Sequence, residues 1–292
     1  MVHGCLIDWP PVLPCNSHPG SSGYLLVMSH STDTSLGQKV SALLTTRNLG
    51  RPLHYAHTVT STNTLAMEAV QLNASHGTAF LTDYQTNGYG RRGRLWQAAK
   101  GQNLTFSIIL RLPISDTVTG MVPLAAAFAV SEAVAKIVSP NNPQLKWPND
   151  ILLEGRKICG ILLQSFGAPV TPMVLGIGLN VNQSIFPPEL SGSATSLLLA
   201  TGQHVDRASM MANVLLRLEK ILELLSTDPA LIRKRYTENL MGVGKSCQIT
   251  GVNEKIIGTL IGIAESGALI LETRQGLRTI YAGDVSLYMA YN

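Results

Sequence analysis

Two strand-like runs, Thr78-Ala-Phe-Leu-Thr82 and Asn103-Leu-Thr-Phe-Ser-Ile-Ile-Leu-Arg-Leu112, bracket the stretch that constrains this chain most, the loop Gly88-Tyr-Gly-Arg-Arg-Gly-Arg-Leu-Trp96. Short apolar runs of this kind predict buried strands, so the loop hangs between two rigid elements, where sites tend to be carried. It packs three glycines, three arginines and two aromatics into nine residues. Glycine lets the backbone turn sharply and approach a ligand, and a guanidinium forks onto phosphate or carboxylate. An anion-binding loop is the natural reading. The loop is neither a Walker loop nor a dinucleotide fingerprint, because no Gly-Lys-Ser/Thr follows and its glycines do not lead straight into a helix. By itself it leaves a solvated basic segment or a nucleic-acid contact standing beside a phosphate site.

At 292 residues the chain is near the size at which one core splits, which predicts one large domain and one small one. Hydrophobic residues make up 45% and charged ones 14%, which excludes a disordered chain. Three of the 22 basic residues sit in the one loop, so the net charge of +4 does not imply a general nucleic-acid surface. Cys5, Cys15, Cys159 and Cys247 are scattered without zinc-site spacing, which predicts reduced thiols and a cytoplasmic protein. No apolar run approaches the roughly 18 residues that a membrane span needs. Residues 1–35, with Pro10, Pro11, Pro14, Pro19 and no lysine or arginine, read as a poorly ordered tail.

Apolar spacing predicts a short helix over 36–49, and His54-Tyr-Ala-His-Thr-Val59 reads as a strand. With one convincing helix before that strand, a helix-turn-helix head is not expected. Thr60-Ser-Thr-Asn-Thr64 opens a further helix, as an ordinary cap, as a polar acceptor for a carboxylate or ureido-like ligand, or as both. Met121 to Val138 reads as a structural helix with Pro123 in its first turn. Gln144-Leu-Lys-Trp-Pro-Asn-Asp150 places Lys146 at a strand end between Leu145 and Trp147, where ligand contact rivals a snorkelling surface lysine. Residues 151–163 read as a hairpin turning at Glu154-Gly155-Arg156. Gly176 and Gly178 interrupt the apolar strand of residues 173–181, so a ligand, another backbone or a bulge lies there. A long helix from Asp206 and a second capped by Asp228-Pro229 follow, then five closely spaced strand-like runs beyond Gly242 that predict a small β-barrel.

Ser61-Thr62-Asn63, Gln85 with the Gly88–Trp96 loop, Lys146-Trp-Pro-Asn-Asp150, Arg156-Lys157 with Gly160, and Gly176-Ile-Gly-Leu-Asn180 occur in a fixed order. In these motifs, and over residues 55–292, the chain resembles the biotin–protein ligases. The resemblance implies an α/β (α+β) fold: a mixed sheet with flanking helices, like that of class II aminoacyl-tRNA synthetases, and a C-terminal SH3-like barrel. It divides the chain into the tail at 1–35, a catalytic domain at 36–241 and the barrel at 242–292. It also implies a two-step reaction, in which biotin and Mg-ATP give biotinyl-5'-AMP and a lysine of a carboxyl carrier domain then takes the biotinyl group.

By that resemblance Lys146 and Arg91 are catalytic, Lys146 touching both the biotin carboxylate and the α-phosphate. Ser61, Thr62, Asn63, Gln85, Gly88, Tyr89, Gly90, Arg91, Lys146, Gly160 and Gly178 would hold biotin. Arg91, Arg92, Arg94, Trp96, Asn149, Lys157 and Asn180 would hold ATP, with Trp96 as an apolar lid and Asn149 or Asp150 near magnesium. The implied partners are biotin, ATP and a carrier protein, without membrane or specific DNA, and compatible with a homodimer. Two positions depart from the family: Tyr89 stands where it usually has arginine, and Tyr288 replaces a basic residue in the closing motif Gly283-Asp-Val-Ser-Leu-Tyr288. A lipoate or octanoate ligase is the neighbouring reading, and a DNA-binding regulator is the one from another class.

Overall fold

The computed structural model describes residues 35–165, 172–250 and 255–287; the expected tail before Ser35, with Cys5 and Cys15, and Tyr288 lie outside them. Helix α1 (Leu36–Leu43) begins at Ser35, whose side chain accepts the Gln38 N–H while Gln38 answers on the Ser35 N–H, a complete capping box. Strand β1 (Leu53–Val59) leads into helix α2 (Thr62–Gln71), and β2 (Ala79–Gln85) and β3 (Leu104–Leu110) follow, with the arginine loop between them. A single turn α3 (Asp116–Thr119) precedes α4 (Val122–Val138). Next come β4 (Gln144–Lys146), β5 (Asp150–Leu153), β6 (Arg156–Ser165) and β7 (Met173–Leu179). A short α5 (Leu197–Thr201), then α6 (Arg207–Thr227) and α7 (Pro229–Glu238), complete the larger part. Among the described residues no helix is long and apolar enough to cross a membrane.

The seven strands form one mixed sheet in the order β1-β2-β3-β7-β6-β5-β4, parallel at β1–β2 and antiparallel elsewhere. The central strands β3 and β7 are buried throughout, which accounts for their nearly continuous apolar runs. Phe106, Ile108, Leu175 and Ile177 join the main core, which includes buried residues of α4 and α6; Ile109 and Val174 cluster instead with Ala66, Ala69 and Val70 of α2. Helices therefore cover both faces, and alternation along each strand assigns residues to one face or the other. The C-terminal part is a five-stranded antiparallel sheet of β8 (Ser246–Thr250), β9 (Lys255–Ile263), β10 (Leu269–Thr273), β11 (Gly276–Ile280) and β12 (Asp284–Leu287), in the order β11-β10-β9-β8-β12. Short α3 and α5 were not expected from the sequence, because four or five residues carry too little periodicity to register.

One buried carboxylate fixes how the chain enters the sheet. Glu219 of α6 accepts the backbone N–H groups of Asn48 (2.7 Å), Arg47 (2.8 Å) and Leu49 (3.0 Å). Burial pushes its carboxyl up, but the three donors outweigh that and hold it below the ordinary 4.5. A group depressed in the folded state gives stability that is present above the unfolded value and lost as pH falls through the folded one. Glu219→Gln should therefore cost about 1–3 kcal/mol at neutral pH. Urea unfolding at neutral pH and again below the ordinary carboxylate value should show the gap to wild type narrowing with acid.

Candidate active site

The register of the central strands makes the site. Thr105 pairs with Gly178, Ser107 with Gly176 and Ile109 with Val174, so these six residues share the α2 face. Ile109 and Val174 pack under α2, whereas Thr105, Ser107, Gly176 and Gly178 leave the rest of that face without large side chains. Each Val or Ile forgone there gives up about 1.5–3 kcal/mol of burial, a sacrifice typical of functional surfaces. Strand β6 extends the face, with Gly160 opposite Gly178 and Leu162 opposite Gly176. The result is a cavity lined by residues from α2, β2, the arginine loop, β3, β5, β6 and β7.

Its inner end is neutral and polar. Gln85 Oε1 accepts the Thr62 N–H at 2.7 Å and lies 3.1 Å from the Thr62 hydroxyl. The Ser107 hydroxyl lies 2.7 Å from that of Thr62 and donates to Asn63 Oδ1 at 2.5 Å. Ser61 is the N-cap of α2 but its side chain makes no capping bond, so the residues at this helix start face the cavity instead of closing the helix. A Cβ on Gly176 would fall 2.1 Å from Asn63 Oδ1, so at this glycine the neighbour is a side chain, where a ligand, another backbone or a bulge was expected. Strands β6 and β7 indeed pair in unbroken register across it.

The arginine loop is a small hairpin. Gly90 N–H donates to Arg94 O (2.7 Å), Trp96 N–H donates to Gly88 O (2.9 Å), and the turn Arg91–Gly93 places Arg92 at φ 56 and Gly93 at φ 71. Gly88 itself is wedged against Gln85 Nε2 and Trp96 O, where a Cβ would meet them at 2.5 and 2.9 Å, and it is not a cavity wall. Arg91 Nη1 donates to Asn149 Oδ1 at 3.2 Å, while Asn149 Nδ2 donates to Ile161 O. Arg94 and Arg92 reach Asp284 Oδ2 of β12 at 2.6 and 3.4 Å. Burial, more than any neighbouring charge, holds the Arg91 guanidinium below its ordinary pKa; an arginine so placed keeps its charge.

Two lysines stand beside Asp150, a residue of the cavity wall. Lys146 pairs with it across β4 and β5. Lys157 of β6 lines the cavity, with Nζ 2.6 Å from Asp150 Oδ1 and 5.7 Å from the centre of the Trp96 ring. Trp147, buried, donates its Nε1 to Gly267 O at 3.0 Å and so fastens this turn to the C-terminal sheet. Asn180 is buried and donates its Nδ2 to Thr195 O at 3.0 Å. Trp96 turns inward, where Cβ atoms on Gly178 and Gly160 would lie 2.4 and 3.2 Å from its ring, and its Nε1 is buried without a partner. It lies on the sheet as a wall of the cavity. Gln164, Ser107 and Asp284 escaped the sequence reading, because isolated polar residues in strands carry no local signal.

Among the described residues no cluster of three acidic, histidine or cysteine side chains could hold a metal ion by itself. Asn149 Oδ1 already accepts from Arg91, which leaves Asp150 as the carboxylate beside Lys157. That donor set suits a magnesium ion brought in on phosphates, which usually needs one or two protein carboxylates.

A cavity that sets guanidinium and ammonium groups beside a neutral polar pocket is built to bring anions together. The chain matches the family model described as Biotin/lipoate A/B protein ligase family over residues 55–182, and that of the Biotin protein ligase C terminal domain over residues 242–288. It is 35% identical to the bifunctional ligase/repressor BirA of Bacillus spizizenii, over 84% of this chain and 76% of the relative. It is 32% identical to the biotin--[acetyl-CoA-carboxylase] ligase of Mycobacterium tuberculosis, over 72% of this chain and 78% of that one. The structure of the biotin protein ligase from Aquifex aeolicus with biotin and ATP superposes with a TM-score of 0.71 at 30% identity, covering 84% of this chain and 100% of that one. The chain belongs to the biotin protein ligase family.

The stacking of Trp96 on Gly178 yields a test. Gly178→Ala places a methyl where the indole lies, with no flexible neighbour to yield, and should drive Trp96 into solvent. In a Trp9→Phe background, iodide should quench the fluorescence of the Gly178→Ala protein more steeply than that of its parent, with Trp147 remaining shielded.

Proposed function

We propose that this chain is an ATP-dependent biotin–protein ligase, forming biotinyl-5'-AMP and passing the biotinyl group to a lysine of a biotin carboxyl carrier domain. The observation that carries this is the placement of Lys157 and Arg91 on the same cavity as the polar group of Thr62, Asn63 and Gln85. In the first step a biotin carboxylate oxygen attacks the α-phosphorus, the bond to the β-phosphate oxygen breaks, and pyrophosphate leaves. In the second, the carrier amine attacks the acyl carbon, AMP leaves with the bonding pair, and the amine loses a proton. The two anions of the first step repel each other, so fixed positive donors must hold them together and stabilise the charge at phosphorus.

Thr62, Asn63 and Gln85, with Ser61, would hold the ureido end of biotin, and Tyr89, Gly90, Gly160 and Gly178 would border its chain. Lys146, beside Asp150, would meet both the carboxylate and the α-phosphate, and Lys157 would face the nucleotide. Arg91, Arg92 and Arg94 would take the remaining phosphate charge, and Trp96 would flank the nucleotide. Asp150 would hold magnesium, which supplies neutralisation of the triphosphate when bound. The catalytic part would comprise residues 36–241 and the smaller domain 242–292. We place the protein in the cytoplasm as a ligase without repressor activity, a reading supported by residues 1–35, which carry no lysine or arginine to meet DNA.

Incubation with ATP, labelled biotin and a carrier domain tests the proposal; pyrophosphate release with lipoate but none with biotin would overturn the substrate assignment. Tight, salt-steep binding to a palindromic operator would overturn the reading as a ligase alone. Lys146→Ala should lose about 100- to 1,000-fold in biotin-dependent exchange of pyrophosphate into ATP, the magnitude of a lost transition-state donor.

A further inference from the structure

The loop is anchored over the cavity in three places, and one differs in kind. Arg91 rests on Asn149, Arg92 and Arg94 rest on Asp284, and the Tyr89 hydroxyl donates to Gln164 Oε1 at 3.2 Å. The first two use guanidinium groups that an arriving triphosphate attracts. The third is neutral at both ends. Gln164 Oε1 also accepts Asn63 Nδ2 at 2.7 Å, and Asn63 Oδ1 accepts the Ser107 proton. That proton turns the Asn63 amide so that its nitrogen faces Gln164, leaving Gln164 Oε1 as the shared acceptor. A continuous path of hydrogen bonds therefore runs from the stem of the loop at Tyr89 into the polar inner end of the cavity.

We infer that Tyr89 and Gln164 form a neutral latch that keeps the arginine loop closed over the acyl-adenylate after pyrophosphate has left. This inference rests on the ligase reading and adds positioning residues to it. A triphosphate and a carboxylate together give the arginines a dense counter-charge; an acyl-adenylate retains a single phosphodiester charge. The ionic hold on the loop thus weakens at the moment when the reactive anhydride most needs shielding from water. Tyr89–Gln164 is indifferent to that loss, because neither partner is charged, and through Asn63 it senses whether the inner end of the cavity is ordered. Arginine at position 89 would be drawn to the phosphates with its neighbours and could not play this part.

Full-length enzyme is loaded with adenylate from labelled biotin and ATP, freed of excess substrate, and chased with unlabelled biotin and ATP at low and high salt. Tyr89→Phe keeps the ring and removes the donor; it should release label about 3- to 10-fold faster, the worth of one neutral hydrogen bond. Gln164→Leu should match it, the double variant should add little to either, and Gln164→Glu, which retains the acceptor, should remain near wild type. The excess over wild type should grow with salt, since the remaining anchors are ionic. Thermal melting of each variant shows that it is folded before release is read. Release by Tyr89→Phe within roughly twofold of wild type at both salts, or full additivity in the double variant, overturns the latch. If wild type itself forms no labelled adenylate, the ligase reading fails instead.

Discussion

Three guanidinium groups within four positions of one loop repel one another, and the surroundings must answer that repulsion whether or not a ligand is bound. Here the answer comes from outside the loop: Asp284 takes Arg92 and Arg94, and the Asn149 amide oxygen takes Arg91. The same logic governs Lys157, whose ammonium lies against Asp150 and near the face of Trp96. Every cation of the cavity wall therefore has a protein acceptor that anionic substrates can replace. Held this way, the positive charge is already in place when substrates enter, and little reorganisation remains for the chemical step.

The room for those substrates comes from what the sheet omits. Gly160 and Gly178 lie opposite each other on β6 and β7, with Gly176 two residues on, and the side chains pressed on them are Trp96, Asn63 and Lys157. The buried strand β7 and its neighbour β6 thus form a platform at one end of one face. Beneath it the opposite face stays filled by α4 and α6, so the platform rests on close-packed core.

Much of this could be read in advance from residues whose local rules are strong. The strands flanking the loop, the helix caps at Ser35, Asp206 and Asp228, and the five runs of the C-terminal sheet follow from periodicity and capping chemistry. What escaped depends on pairings distant in sequence. Gln164 meets Tyr89 across 75 positions, and Asp284 meets Arg94 across 190, and no local pattern announces either. The glycines of β7 were noticed correctly as gaps, but their occupants, two side chains from other elements, were invisible without the fold.

The placement of Asp284 carries one further consequence. This carboxylate belongs to the C-terminal sheet, while the arginines it holds belong to the loop between β2 and β3, so the two parts of the chain share one electrostatic contact at the cavity mouth. Another contact joins them: buried Trp147 donates to Gly267 O, and nearby Gly120 lies so close to Ser266 that a Cβ would fall 2.2 Å from its carbonyl oxygen. The buried Trp147 bond helps hold the C-terminal sheet in place, while the pairs of Asp284 with Arg92 and Arg94 are partly exposed and lie at the mouth. The C-terminal sheet thus supplies a carboxylate to the arginine loop, which is why a small β-domain with no described side chain at the polar inner end of the cavity still borders the site.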